Sequence, residues 1–146
     1  MRVGELLEPQ DLLTLPETAS AMEAARAMSR RKVGAVLVTT GDGHLIGIFT
    51  ERDLMARVVV EQRDPDQTTL AEVMTRDPFC VGPDHGVDEV RRELQRRHIR
   101  HLPIVVDGRL AGVLSLRDIL DADLAKKAHE VEALENYFLG GQEPAG

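Results

Sequence analysis

Two short motifs in the chain combine a hydroxyl group with a carboxylate three residues later. The first is GIFTERD at residues 47–53 and the second is GVLSLRD at residues 112–118. The hydroxyl belongs to Thr50 in the first motif and Ser115 in the second, and the carboxylates belong to Asp53 and Asp118. Each motif lies where a β-rich run passes into a helical pattern of apolar residues, so we expect both groups at a helix N-terminus.

Two interpretations fit this pattern. Ser/Thr-x-x-Asp before an apolar run is close to a capping box, which stabilises the start of a helix by about 1 kcal/mol. Alternatively, free N–H groups and the helix dipole bind a phosphate, the hydroxyl donates to it, and the carboxylate accepts the hydroxyls of a ribose. Arg52 and Arg117 inside the motifs are further candidates, because Arg binds phosphate oxygens in bidentate fashion. Both interpretations stay open at this point.

The motifs belong to an internal repeat that fills most of the chain. Residues 32–38 align with residues 98–104, and residues 42–54 align with residues 107–119. An Asp-Gly pair in each copy separates two β-rich runs, which predicts a hairpin. Apolar residues at helical spacing precede each hairpin. Each copy is therefore predicted to form a βαββα unit.

The predicted fold class is α/β (α+β), with two βαββα repeats related by a pseudo-twofold axis. A unit of this size has a small core, so the copies should pack together through their sheets and leave two related clefts. The predicted divisions are a first repeat at 1–61, a polar linker at 62–69, a second repeat at 70–125, a helical extension at 126–139 and a disordered tail at 140–146.

The end of the chain predicts one long helix. No helix breaker occurs between Ser115 and Gly140, and apolar residues recur there at partly helical spacing. A helix of this length should leave the domain and pack on a second copy of the chain, so a homodimer is predicted. The apolar positions are Ile119, Leu120, Leu124, Val131, Leu134 and Phe138.

Composition excludes several classes of function. The net charge of -7 argues against general binding of nucleic acid or of an anionic membrane. No apolar stretch reaches the length of a membrane span, and a single cysteine without a signal sequence predicts a cytoplasmic protein. No nucleophile elbow, phosphate-binding loop or set of metal ligands is found, since His98 and His101 lack further partners. The chain is predicted not to be an enzyme and to require no cofactor.

The repeated Gly-h-h-Thr/Ser-x-x-Asp endings (h, hydrophobic) resemble those of the CBS domain family, named for cystathionine β-synthase. In that family two such repeats form a Bateman module, and the resemblance covers roughly residues 3–124. It implies a freestanding bacterial protein of the family, whose Thr50, Asp53, Ser115 and Asp118 contact the phosphate and ribose of AMP, ADP, ATP or a related adenosine nucleotide.

The resemblance also implies where the base lies and adds one residue outside the repeated motif. Thr75 follows Val73 and Met74 in a segment similar to the opening of a CBS repeat, and it is predicted to reach the ligand. The adenine is expected at the entry to the second strand of each copy, against Val33, Gly34 and Ala35 and against Ile99, Arg100, His101, Leu102 and Pro103.

Three functions are thus in competition. In the leading one, an adenosine nucleotide changes the packing of the two repeats and so alters a surface or dimer interface that a regulated partner protein recognises. In the second, the chain is a ligand-free dimerisation scaffold whose Thr/Ser–Asp pairs only cap helices. In the third, an enzyme acts on nucleotides, but the sequence contains no visible base, nucleophile or metal cluster for it.

Overall fold

The computed structural model describes residues 1–140 and confirms the mixed α/β fold, with two repeats followed by a long helix. The first strand predicted for the second repeat is reduced to an isolated parallel bridge between Val81 and Ile104. A 3-10 turn at Val3–Leu6 precedes the repeats. The first repeat contains β1 (Thr14–Leu15), α1 (Ala21–Arg31), β2 (Ala35–Thr39), β3 (Leu45–Thr50) and α2 (Glu51–Asp53), which continues as a π-helix over Leu54–Val59. After α3 (Leu70–Val73) and β4 (Thr75–Arg76), the second repeat contains α4 (Val87–Arg97), β5 (His101–Val106), β6 (Arg109–Ser115) and α5 (Leu116–Gly140).

The Asp-Gly pairs form the predicted hairpin turns. Asp107 and Gly108 both have positive φ angles, of 52° and 78°, as a two-residue type I′ turn requires. Gly43 has a φ of 87° in the longer turn of the first repeat. The two turns also contact each other, because the Leu110 N–H donates to the Gly43 carbonyl at 3.0 Å and the Leu45 N–H donates to the Gly108 carbonyl at 3.1 Å. The hairpin tips thereby join the repeats.

The segment that opens each repeat packs on the sheet of the other repeat. Strand β4, near the start of the second repeat, pairs antiparallel with β3 and places Thr75 opposite Ile48. Near the start of the first repeat, the side-chain amide of Gln10 takes the place of a strand, since it donates to the Val113 carbonyl at 3.1 Å and accepts from the Val113 N–H at 3.2 Å. The repeats are therefore exchanged at their edges as well as packed face to face.

Three apolar clusters follow from the alternation of side chains along the strands. One face of each sheet packs on its own helices, with Phe49 and Val36 fully buried in the first repeat and Leu102 and Leu114 in the second. The third cluster lies between the repeats. It is formed by Ala35, Leu37 and Ile48, with Leu45, Leu110 and Val113 packed against them.

The helices at the ends of the repeats differ. After Asp53 the first becomes a π-helix, in which the Val60 N–H donates to the Met55 carbonyl at 2.9 Å, five residues back. The second, α5, continues to Gly140, a residue that the prediction assigned to the disordered tail. The rest of that predicted tail, 141–146, lies outside the described residues. Within residues 1–140, every helix is too short or too polar to span a bilayer.

The glycine that opens each motif lies where the opening segment of the other repeat crosses the strand, and this close approach leaves no room for a side chain. A Cβ at position 47 would overlap Met74 Sδ and lie 3.1 Å from the Thr75 carbonyl oxygen, and a Cβ at position 112 would lie 2.6 Å from Leu7 Cδ2. Met74 is buried, so its side chain has little room to move. The close approach of β4 to β3 thus requires glycine at position 47.

We predict that Gly47→Ala lowers the free energy of unfolding by about 1–3 kcal/mol, because an extra methyl group must be fitted against buried neighbours. Equilibrium urea denaturation measures this change. Gly41→Ala is the matched control, since nothing lies within 4 Å of a Cβ at that position, and it should change stability by less than about 0.5 kcal/mol. Equal stability of the two variants would contradict this account of Gly47.

Candidate functional site

Both motifs form reciprocal capping boxes where a strand passes into a helix. The Asp53 N–H donates to Thr50 Oγ1 at 3.2 Å, and the Thr50 N–H donates to Asp53 Oδ2 at 3.0 Å. In the second repeat, the Asp118 N–H donates to Ser115 Oγ and the Ser115 N–H donates to Asp118 Oδ2, both at 3.0 Å. The capping interpretation is therefore confirmed. Capping uses one oxygen of each carboxylate and leaves the second oxygen and the hydroxyl proton for other partners.

The strand-to-helix junction at each capping box, called a corner below, is hydrogen-bonded to the start of the first strand of the same hairpin. The Glu51 N–H donates to the Gly34 carbonyl at 3.0 Å, and the Leu116 N–H donates to the Arg100 carbonyl at 2.7 Å. These bonds bring the predicted base-binding segments, 33–35 and 99–103, beside the motifs. Two segments that are separated by a whole hairpin in each repeat thereby form one local site.

Strand register places both hydroxyls on the faces that meet between the repeats. Residues directly opposite one another on paired strands share a face. In the first repeat, Thr50 pairs with Ala35, and Thr75 shares their face through its pairing with Ile48.

The second repeat follows the same rule. Ser115 pairs with His101, and Pro103 pairs with Val113, a residue that packs in the cluster between the repeats. The structure therefore brings Thr50, Ala35, Thr75, Ser115, His101 and Pro103 to the interface between the two sheets.

Some of the predicted base-binding residues face elsewhere. Leu102 is fully buried in the helix-facing core of the second repeat, and Ile99 packs partly against the same core. Only the backbone of Leu102 is in position to face a ligand. By contrast, Val33 is 41% exposed, Gly34 is half-buried and Arg100 is exposed.

His101 lies where the two strand entries meet. A Cβ on Gly34 would lie 3.3 Å from His101 Nε2 and 2.5 Å from Glu51 Oε1. A side chain at position 34 would displace the exposed Glu51 carboxylate and press against the His101 ring. Burial lowers the pKa of His101; Glu51 and Asp118 act in the opposite direction, while Arg100 reinforces the lowering. A single imidazole thus senses charges from the motifs of both repeats.

The two carboxylates have different surroundings. Asp53 Oδ1 lies 3.7 Å from Arg57 Nε, and the Asp53 side chain is only 13% exposed. Arg57 also donates to the Val73 carbonyl at 3.0 Å. Asp118 is exposed. Arg57 was not among the predicted site residues, although its i,i+4 spacing from Asp53 is a recognisable signal for an ion pair on a helix.

A groove of about 550 Å³ borders the first motif on its helical side. It runs between α1 and the π-helix, and its lining includes Val33, Gly34 and Glu51 together with apolar residues of both helices. Arg52 and Arg117 are exposed on the first turns of their helices. In residues 1–140, no group of three or more His, Cys, Asp or Glu side chains is arranged to hold a metal ion.

Comparison with known proteins identifies the repeat. A family model described as the CBS domain matches residues 3–60 and again residues 70–125. A CBS domain-containing protein of Arabidopsis thaliana is 37% identical over 119 residues, which are 82% of this chain and 21% of that protein. The chain therefore spans about a fifth of the length of this curated relative.

Two solved structures share the fold. A CBS domain protein from Pyrobaculum aerophilum, complexed with AMP, is 31% identical with a TM-score of 0.73, and the match covers 81% of this chain and 89% of that one. The CBS domain pair of protein MJ0100, in complex with 5′-methylthioadenosine and S-adenosyl-L-methionine, is 26% identical with a TM-score of 0.76, over 86% and 98%. Because the family model covers most of the chain in two copies, the chain belongs to the CBS domain family and contains a tandem pair of the domain.

Proposed function

We propose that this chain is a regulatory module that binds an adenosine-type nucleotide between its two repeats and acts through a partner protein or a dimer interface. One observation supports the proposal: Thr50 and Ser115 lie on strand faces that meet between the repeats, and each is joined by a capping box to a carboxylate with one oxygen outside the cap. Two solved relatives, one in complex with AMP and the other with 5′-methylthioadenosine and S-adenosyl-L-methionine, support the choice of ligand class.

The chemistry of the site suits such a ligand. A carboxylate accepts hydrogen bonds from ribose hydroxyls, a helix N-terminus with an added hydroxyl donor favours a phosphate, and apolar strand residues suit an adenine ring. Arg52, Arg117 and Arg100 are exposed near the motifs and supply positive charge for phosphate oxygens. Thr75 adds a hydroxyl beside Ile48.

The capping boxes favour a second candidate, a ligand-free scaffold. In that function the Thr50–Asp53 and Ser115–Asp118 pairs only stabilise helix starts, and the chain acts through dimerisation alone. The two candidates make opposite statements about nucleotide binding. Titration calorimetry therefore separates them.

We expect saturable binding of at least one of AMP, ADP, ATP, NAD and S-adenosylmethionine, and much weaker binding of GMP, in calorimetric titrations of the purified chain. An Asp53→Ala/Asp118→Ala variant should lose this binding while remaining folded by circular dichroism. No heat of binding across the panel supports the scaffold function instead. Release of ADP or AMP from ATP over time would point to an enzyme, the third function considered from the sequence.

The 2′-deoxy form of the ligand should bind about fivefold more weakly than the ribonucleotide, because the motif carboxylate loses one hydrogen-bond donor worth about 1 kcal/mol. Parallel titrations of the two forms at one salt concentration measure the ratio. The matching 3′-deoxy nucleotide tests the second hydroxyl. Equal affinities for all three forms would remove Asp53 and Asp118 from ribose recognition.

The proposed homodimer rests on exposed apolar side chains along α5. Val131, Leu134 and Phe138 fall on one face of that helix and are 54%, 59% and 68% exposed. Met55 and Val59 of the π-helix are exposed as well, at 57% and 65%. A second copy of the chain would cover such a stripe from water.

We expect a dimer in light-scattering measurements of the purified chain, and we expect Leu134→Glu/Phe138→Glu to shift it to a monomer. Burial of two charges in the interface opposes association. Ala133→Glu is the matched control, since residue 133 is exposed and lies on a different face of α5. A monomeric wild type, or equal dimerisation of the variant and the control, would exclude this interface.

A further inference from the structure

The two motif carboxylates differ in access, and Arg57 is the reason in the first repeat. Asp53 Oδ2 is taken by the Thr50 N–H, and Asp53 Oδ1 faces Arg57 Nε at 3.7 Å. Arg57 is held in place by its bond to the Val73 carbonyl. With 13% of its side chain exposed, Asp53 cannot accept two ribose hydroxyls unless Arg57 moves away.

The second repeat lacks this cation. Alanine stands at position 122, four residues after Asp118 and equivalent to Arg57 in the repeat alignment. Asp118 is exposed, and its Oδ2 accepts the capping bond from the Ser115 N–H. In the part of the chain that the structure describes, Asp118 Oδ1 receives no hydrogen bond and no salt bridge. It is thus free to accept a ligand hydroxyl.

Charge at the two corners points the same way. Glu51 follows Thr50 in the first motif, whereas the equivalent residue after Ser115 is Leu116. A carboxylate at this position repels a phosphate, and a leucine does not. The strand entry beside the second motif contains Arg100, where the first repeat has Gly34. The second motif therefore has no carboxylate directly after its hydroxyl residue, and a guanidinium lies at the neighbouring strand entry.

We propose that the Ser115–Asp118 cleft is the primary nucleotide site and that Arg57 keeps the Thr50–Asp53 cleft closed to ribose. This inference rests on the proposed function, which it deepens by making the two clefts unequal. The residue four positions after the motif aspartate decides whether that carboxylate is available. It is Arg57 in the first repeat and Ala122 in the second. Exchanging these two residues should then shift nucleotide binding from the Ser115–Asp118 cleft to the Thr50–Asp53 cleft.

The test is a reciprocal exchange, followed by calorimetric titration with AMP and with ATP. Wild type should bind one nucleotide per chain with high affinity. Asp118→Asn should weaken this binding at least about tenfold, because the amide keeps an oxygen for the cap but loses the second acceptor. Asp53→Asn should change it less than about twofold, since Asp53 is largely buried and Arg57 lies against its second oxygen.

Substitutions at the two equivalent positions, 122 and 57, should change nucleotide binding in opposite directions. Ala122→Arg should weaken the high-affinity event about tenfold by supplying Asp118 with a competing cation. Ala128→Arg is its matched control, because it adds the same charge about 15 Å from Asp118 along α5. Arg57→Ala should add a second binding event, with a Kd within about tenfold of the first. Arg57→Met, which keeps the aliphatic stem, replaces it if thermal melting shows that Arg57→Ala is unfolded.

The outcomes separate this inference from the proposed function. Two equal sites in wild type, or loss of the high-affinity event in Asp53→Asn but not in Asp118→Asn, would overturn the inference and leave nucleotide binding intact. Equal effects of Ala122→Arg and Ala128→Arg would overturn the role given to position 57. Absence of any nucleotide binding by wild type would remove the proposed function and this inference together.

Discussion

Each repeat has one short sheet with two faces, and its own helices cover only one of them. The face that remains is the one on which Ala35, Leu37 and Ile48 meet Leu110 and Val113. Burial of this face is what joins the repeats, because two small sheets exposed to water would lose much of their hydrophobic stabilisation. The exchanged edges add to it, since β4 pairs with β3 and Gln10 bonds to β6. This contact also brings both motifs to a common interface, where a ligand could touch the two repeats together.

The motif atoms that cap the helices differ from the motif atoms that we propose bind a ligand. Thr50 and Ser115 accept bonds from the helix that they cap, and their hydroxyl protons remain available. A capping box therefore holds the proposed binding groups in fixed positions and leaves their remaining donor and acceptor atoms available. This explains how the structural and the ligand-binding interpretations of one pattern are compatible. It also shows why the pattern alone cannot decide between a sensor and a scaffold.

Pseudo-symmetry in the fold does not extend to the electrostatics of the corners. The same backbone bonds occur in both repeats, from the Glu51 N–H to Gly34 and from the Leu116 N–H to Arg100. The side chains at these equivalent positions differ in charge, and Arg57 has Ala122 as its counterpart. His101 lies beside Glu51 and Gly34, so the second repeat supplies a titratable group to the corner of the first. Two similar clefts thus have different chemistry.

Local pattern in the sequence determined the two repeats, the hairpins at the Asp-Gly pairs, the capped helix starts and the long final helix. These features depend on neighbours within a few residues, and periodicity and turn chemistry report such contacts directly. The tertiary structure decided what depends on residues distant along the chain. It buried Leu102 away from the interface, set His101 against Gly34, and required glycine at position 47 because Met74 crosses there. The pairing of Asp53 with Arg57 depends on both kinds of contact. The i,i+4 spacing of the two residues is local, but Arg57 is kept beside the carboxylate by its bond to the Val73 carbonyl of another helix.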